Sequence, residues 1–286
     1  MLSLQQPCPG AGALSRPGAN RFGPGAPSFH KCRPVAGSRR VSSPPVALIT
    51  GGAGDIALGS AIRLAGIGMR TVLADISAER LGAAAESVRT AGGSCDQRVV
   101  DLSSPEACVA LVEEVWDDIG PITAVLNAAA VTHRALIHEF TPSMWEKLVS
   151  VNLSSVFWIC RTAIGRMLDE GKGGVIVNLG SVSGIRGIAG TPAYSATKGG
   201  VVALSRALAL DYARNGIRVH VLTPPAIDTR LYRAMFASKA DPVRARAEYE
   251  AGEAAGRVLT VAEIASLIEF LVRGEGPAFS PDPLVW

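Results

Sequence analysis

A chain of 286 residues, 48% hydrophobic and 19% charged, has enough apolar sequence for one sizeable core or two small ones, which excludes disorder of the whole. The net charge of +3 excludes less than it suggests. Arg16, Arg21, Lys31, Arg33, Arg39 and Arg40 all lie in the first 54 residues, which hold no Asp or Glu, so the remainder is mildly acidic and carries no footprint for nucleic acid.

Residues 1–45 contain eight Pro and six Gly without an apolar period, and are expected to form a disordered basic tail. An acid-free leader with Arg and Ser has the composition of an organelle import signal, yet Pro and Gly at this density spoil an amphipathic helix. A cytoplasmic protein with a plain tail, or with a start placed too far upstream, is the leading expectation, and organellar import is the alternative. From residue 46 to 286 short apolar runs alternate with helical patterns: "VALIT" (46–50), "RTVLA" (70–74), "QRVV" (97–100), "ITAVL" (122–126), "GVIVNL" (174–179) and "IRVHVL" (217–222). Between the third and fourth runs, Ser103 or Ser104 can cap a helix that Pro105 opens. Near-continuous apolar strands separated by helices predict one α/β domain, a doubly wound parallel sheet covered on both faces, whose ligands bind beyond the carboxyl ends of the strands. Apolar runs such as "VVALSRALAL" break before the roughly 18 residues that a membrane span requires, so a soluble protein is expected. The five cysteines (8, 32, 95, 108, 160) and four histidines (30, 133, 138, 220) are scattered, and no metal or disulfide framework is expected.

Two strand ends carry chemistry. The first runs into "TGGAGDIALGSA" (50–61), where small residues let backbone amides and a helix N-terminus approach a diphosphate. Asp75 ends the second strand, where a carboxylate accepts from both ribose hydroxyls of an adenosine and repels a 2′-phosphate, so NAD is expected over NADP. Further on, "AYSATKGG" places Tyr194 and Lys198 four apart on a predicted helix, so the ammonium lies near the phenol and is expected to lower its pKa.

From about Pro45 to Phe270 these residues resemble the short-chain dehydrogenase/reductase family, with its Rossmann-like dinucleotide-binding fold. The family's T-G-x-x-x-G-x-G turn matches Thr50 to Ala57. Its N-N-A-G matches Asn127 to Ala130, its helix Asn matches Asn152, and its Ser, Tyr and Lys match Ser181, Tyr194 and Lys198. The resemblance implies a dehydrogenase with Asn152, Ser181, Tyr194 and Lys198 as catalytic residues. It implies cofactor contacts from Gly51, Gly54, Asp55, Ile56, Asp75, Asp101, Leu102, Asn127, Ala129, Tyr194, Lys198, Pro224, Ile227 and Thr229. The expected substrate is a small secondary alcohol or ketone, and the expected assembly a homo-oligomer. In the implied roles Tyr194 exchanges the proton, Lys198 also holds the nicotinamide ribose, Ser181 donates to the substrate oxygen, and Asn152 either fixes a relay water or is a core amide bonded to backbone.

The departures from the pattern matter. Asp55 and Ala57 replace glycines of the turn, Ala128 and Ala130 replace Asn and Gly, and Pro225 stands where Gly is usual. Asp55 is expected to turn outward and cap its own helix, leaving the amides to the cofactor. After "EIASLIEFLV" the segment carries Pro277, Pro281 and Pro283, so the last strand is expected to be short or missing. A weakly active or non-catalytic nucleotide binder, and an epimerase or lyase using held NAD, stay open beside the oxidoreductase. Walls for the substrate are expected from residues 131–137, 184–193 and the stretch after Thr229, where Arg186, Arg230 or Arg233 could meet an acidic group.

Overall fold

The computed structural model describes residues 44–237, 239–253, 256–275 and 284–285, so residues 1–43 of the expected tail lie outside the described residues. In chain order the elements are β1 (Val46–Thr50), α1 (Asp55–Gly66), β2 (Arg70–Asp75), α2 (Ala78–Thr90), β3 (Ser94–Val99), α3 (Pro105–Asp118), β4 (Ile122–Asn127), α4 (Pro142–Val149), α5 (Ser155–Asp169), β5 (Gly174–Leu179), α6 (Ser183–Arg186), α7 (Pro192–Tyr212), β6 (Ile217–Thr223), α8 (Arg230–Ala234), α9 (Pro242–Ala251), α10 (Val261–Arg273) and β7 (Leu284–Val285). Every strand pairing is parallel and the order is β3-β2-β1-β4-β5-β6-β7, the doubly wound α/β sheet that the alternating pattern predicts. The direction of winding reverses between β1 and β4, which opens the ligand crevice there. Among the described residues β7 pairs Leu284 and Val285 with Leu222 and Thr223, while residues 276–283, whose prolines carry the expectation of a short last strand, lie outside the described residues.

Strand alternation sorts the core into two layers. Val125, Ile176, Val219 and Val221 face α3, α5 and α7, burying Val112, Val115, Ile159, Ala163, Val201 and Ala209. Ala47, Ile49, Leu126, Val177 and Leu222 face α1, α2 and α10, burying Ala57, Leu64, Leu81, Ile264 and Ile268. Local signals act as expected at α3, where the Ser104 hydroxyl accepts from the Ala107 amide at 3.1 Å and Pro105 opens the first turn. A π-helical segment, Ser150–Ser154, joins α4 to α5 without a break. The resulting helix, 142–169, is long and apolar enough by composition to cross a membrane, which the reading of apolar runs passed over; 56% of its most apolar stretch is buried inside the fold, as in a core helix.

Candidate active site

The catalytic candidates meet between the carboxyl end of β5 and the start of α7. Pro192 opens α7, and Tyr194 and Lys198 lie one turn apart on it, with the Lys198 ammonium 5.8 Å from the centre of the Tyr194 ring. Lys198 is buried, and its Nζ donates to the Leu179 carbonyl at 2.7 Å, which pins it to the end of β5. α7 can come this close because α6 carries a glycine against it: a Cβ on Gly184 would stand 2.6 Å from the carbonyl carbon of Lys198. Ser181 follows β5, and its Oγ accepts from the Ser183 amide at 3.2 Å and from the Ser183 hydroxyl at 2.9 Å. With its lone pairs so used, the Ser181 O–H remains a donor toward the phenol side.

The electrostatics correct one expectation. Burial pushes the Tyr194 phenol up to about 12, offset in part by its hydrogen bond with Ser181, and burial pushes the Lys198 ammonium down to about 8. Desolvation therefore outweighs the lowering expected from the neighbouring ammonium, because the low-dielectric surroundings disfavour both charged forms.

Asn152, on the π segment, is fully buried. Its Oδ1 accepts from the Val131 amide at 2.8 Å, and its Nδ2 donates to the Val131 carbonyl at 2.8 Å and to Thr197 Oγ1 at 3.3 Å. Of the two roles considered, the structure displays the buried amide that clamps the loop after β4 to the residue preceding Lys198. Asn127 is likewise buried, with Nδ2 donating to Asn178 Oδ1 at 2.8 Å, while Asn178 donates to Ser205 Oγ at 2.9 Å. Its side chain thus joins β4 to β5, an inward network that no spacing rule pointed to.

At the other end of the crevice the glycine turn is braced on both sides. Gly51 has φ +65°, and a Cβ there would lie 2.7 Å from the Ala129 nitrogen. Gly52 donates to the Ala74 carbonyl at 3.0 Å and the Ala53 amide donates to Asp75 Oδ2 at 3.1 Å. The other Asp75 oxygen accepts from the Ser77 amide at 3.0 Å, and Arg80 lies 3.9 Å away. Thr50 Oγ1 accepts from the Ala128 and Ala129 amides at 3.2 and 3.4 Å. Asp101 is exposed, accepts from Ser103 and stands 3.8 Å from Lys147, while Leu102 is buried beneath it.

Asp55 departs from expectation. It does not cap its own helix, which has Gly54 at the N-cap and no side-chain cap bond; its carboxylate accepts instead from Arg230, 175 positions away. The long-range salt bridge is invisible to local capping rules. Among the described residues no protein acceptor takes the amides of Asp55, Ile56 or Ala57, and a Cβ on Gly54 would meet only the Gly51 carbonyl oxygen, at 3.0 Å. Free amides over a turn without side chains fit the diphosphate of a dinucleotide.

After β6, Pro224 accepts from the Val182 amide at 3.1 Å, Ile227 is buried in a parallel bridge with Leu259, and the Thr229 hydroxyl caps α8 by accepting from the Tyr232 amide at 3.2 Å. Two of the three arginines considered for an acidic substrate pair with carboxylates: Arg230 with Asp55 at 2.6 Å, and Arg233 with Asp228 at 2.8 Å. The first two expected walls do join, through the Ala135 amide donating to Gly190 at 3.1 Å and Arg134 donating to Ala189 at 3.3 Å. An apolar hollow of about 400 Å³ is lined by Ile137, Phe140, Thr141, Pro142, Trp145 and Ala193, the last being the residue before Tyr194 in the chain. A second hollow, of about 320 Å³, touches Gly174 and Arg218 at the amino ends of the strands and is remote from this chemistry. Among the described residues no three His, Cys, Asp or Glu side chains gather as a metal site would require.

The stretch of chain that carries the turn and the Ser-Tyr-Lys cluster matches a family model. Residues 45–240 fit the short chain dehydrogenase family, and the chain belongs to it. Levodione reductase of Leifsonia aquatica is 33% identical over 235 residues, 80% of this chain and 88% of that one. A putative ketoacyl reductase of the granaticin polyketide synthase of Streptomyces violaceoruber is 31% identical over 84% of this chain and 90% of its own length. The crystal structure of levodione reductase superposes with a TM-score of 0.80, 30% identity and coverage of 84% of this chain and 95% of that one. Actinorhodin polyketide ketoreductase with NADPH gives 0.79 at 30% identity, covering 85% and 95%, and NAD+-bound xylitol dehydrogenase gives 0.77 at 27%, covering 84% and 96%. The chain is thus an oxidoreductase of a family whose solved members hold either nicotinamide dinucleotide.

Proposed function

We propose that the protein is an NAD(H)-dependent oxidoreductase interconverting a secondary alcohol and its ketone, with Ser181, Tyr194 and Lys198 as the reacting set. The observation that carries this reading is the packing of that set: Lys198 pinned on Leu179 beneath the Tyr194 ring, and Ser181 with its proton left to donate. A bound nicotinamide supplies the hydride acceptor or donor. Tyr194 takes the proton from the carbinol oxygen in oxidation and returns it to the carbonyl oxygen in reduction. Ser181 donates to that same oxygen, where negative charge develops. The ammonium of Lys198 favours the phenolate through charge and has N–H donors left for ribose hydroxyls. Names such as ketoacyl reductase and xylitol dehydrogenase among the similar proteins support carbonyl reduction or alcohol oxidation as the class.

The choice of NAD rests on Asp75, whose carboxylate closes β2 beside the turn and would repel a 2′-phosphate. A homo-oligomer belongs to the same proposal, supported by the exposed Phe157 and Leu168 on α5 and Leu210 on α7. The test is purified protein offered NAD or NADP with a panel of secondary alcohols while reduced nicotinamide is followed by absorbance. Turnover with NAD is the expected result. Binding without turnover would favour a non-catalytic nucleotide binder, and no binding of either dinucleotide would end the reading.

A further inference from the structure

Asp55 occupies a place where a carboxylate should hinder a dinucleotide. It is the first residue of α1, its backbone N–H is one of the free amides, and an unpaired negative charge there would repel a diphosphate. The structure answers this with a single side chain. Asp55 Oδ2 accepts from the Arg230 backbone amide at 2.6 Å, Asp55 Oδ1 accepts from Arg230 Nε at 2.6 Å, and Arg230 Nη2 donates to the Ala53 carbonyl at 2.6 Å. Three bonds thus fasten the first residue of α8 to the lip of the glycine turn. Among the described residues no acceptor takes the remaining nitrogen, Nη1, and the Arg230 side chain is 57% exposed. A guanidinium held at two of its nitrogens is a rigid fork with one edge left for an anion.

What Arg230 fastens is a small body of its own. The rings of Tyr232, Phe236 and Tyr249 meet edge to face at 5.1 to 5.9 Å, and Arg246 pairs with Glu250 at 2.6 Å and Asp228 at 3.5 Å. The segment joins the main fold at the Ile227–Leu259 bridge and at Asp55.

We propose that Arg230 binds the cofactor's diphosphate, that Asp55 is the residue that positions it, and that the pair latches the α8–α9 segment to an occupied glycine turn. The substitution of Asp for Gly in the turn is then a gain in this chain: it anchors a cation that a glycine could not. The proposal rests on the nicotinamide-cofactor reading above.

The test is a double-substitution cycle read by calorimetric titration with NAD, at low and at 0.15 M salt, on the unmodified protein, Arg230→Gln, Asp55→Asn and the pair combined. Arg230→Gln removes the cation and leaves Asp55 unpaired, so NAD binding should weaken at least tenfold and become less sensitive to salt. Asp55→Asn loses the positioning and the repulsion together, so a few-fold weakening is expected. The combined variant should bind more tightly than Arg230→Gln alone, a reversal that a merely structural salt bridge would not produce. Circular dichroism checks each fold, and Arg230→Lys, which keeps the charge, should recover part of the affinity should the Gln variant unfold. Binding by Arg230→Gln within twofold of the unmodified protein, absence of the reversal, or no recovery by Lys would overturn the latch while leaving the oxidoreductase reading in place. Failure of the unmodified protein to bind either NAD or NADP would instead remove that reading and the latch with it.

Discussion

The two faces of the sheet solve the problem of buried polarity in different ways. On the α7 face, polar side chains are buried in company: Asn127, Asn178 and Ser205 bond one another, and Lys198 bonds the end of β5. On the α1 and α10 face the core is apolar, and polar contacts gather at the rim, where Asp75 and Asp55 hold the glycine turn from opposite sides. Ser60 and Thr71, buried on that side, donate to backbone carbonyls at 2.7 and 3.1 Å, but a third polar side chain breaks the pattern. His220 on β6 is 2% exposed, lies on the same face as Leu222, and has no partner for either ring nitrogen. A buried network fixes positions to fractions of an ångström, which proton transfer requires, whereas a charged rim can open and close on a ligand.

The largest effect should come from the network side. Tyr194→Phe removes one hydroxyl and leaves the ring on Lys198, so NAD binding and melting temperature should change little while turnover drops by about 10² to 10⁴. Near-normal turnover would mean that the buried cluster is structural and the chemistry lies elsewhere. Next is Gly184→Ala. Its new methyl would press on the Lys198 and Gly199 backbone, 2.6 and 2.7 Å away, and backbone cannot step aside as a side-chain tip can. A loss of about 1–3 kcal/mol in stability is expected, as for other overpacked sites, together with reduced turnover. Denaturant unfolding and kinetics on one preparation measure both, and full activity would show that the close approach of α6 to α7 is dispensable.

His220 sharpens the contrast from the apolar side. Burial, aided by Arg218, pushes its pKa down to about 4 from 6.5, so the folded protein holds the ring neutral while the unfolded chain protonates it below 6.5. Stability from this residue is therefore present above pH 6.5 and is lost as the pH falls toward 4. Between pH 7 and pH 5 the loss is roughly 2 kcal/mol. His220→Leu should flatten that part of the pH dependence relative to the unmodified protein. Parallel unfolding curves for the two proteins at pH 7 and pH 5 would show that the ring finds water or a partner.

Legibility in the sequence follows the same division. Strand alternation and helix periods are short-range, and they predict the parallel sheet, its two covered faces and the Ser104 cap. The spacing of Tyr194 and Lys198 is also short-range, because one helix carries both. Capping rules see four neighbours and predict a self-capping Asp55, while its partner stands 175 positions on, in a segment that the sequence marks as a substrate wall carrying arginines. The inward turn of Asn127 and the pinning of Asn152 on Val131 depend equally on partners 51 and 21 residues away. The sequence predicts an acidified phenol because a neighbouring charge is visible in it and desolvation is not; in the folded chain desolvation wins.

The smallest expected effect concerns the rim, and Asp75 has two duties there that must be separated. Its carboxylate is placed to meet an adenosine ribose, and it also accepts from the Ala53 and Ser77 amides at 3.1 and 3.0 Å. Asp75→Ala would remove both acceptors, loosen the turn, and weaken either dinucleotide for reasons unrelated to charge. Asp75→Asn keeps a carbonyl oxygen for the Ala53 amide and removes the negative charge, giving up the Ser77 contact, where an amide NH2 cannot accept. If the carboxylate selects by repelling a 2′-phosphate, Asn should lower the ratio of NAD to NADP affinity by about tenfold, or about 1.4 kcal/mol, mainly by tightening NADP. Titration of both proteins with both dinucleotides decides it. A ratio unchanged in Asp75→Asn would reduce Asp75 to a brace for the glycine turn, and an unmodified protein that already prefers NADP would overturn the NAD assignment outright, since Arg80, 3.9 Å from the carboxylate, would then be the group that reads the ribose.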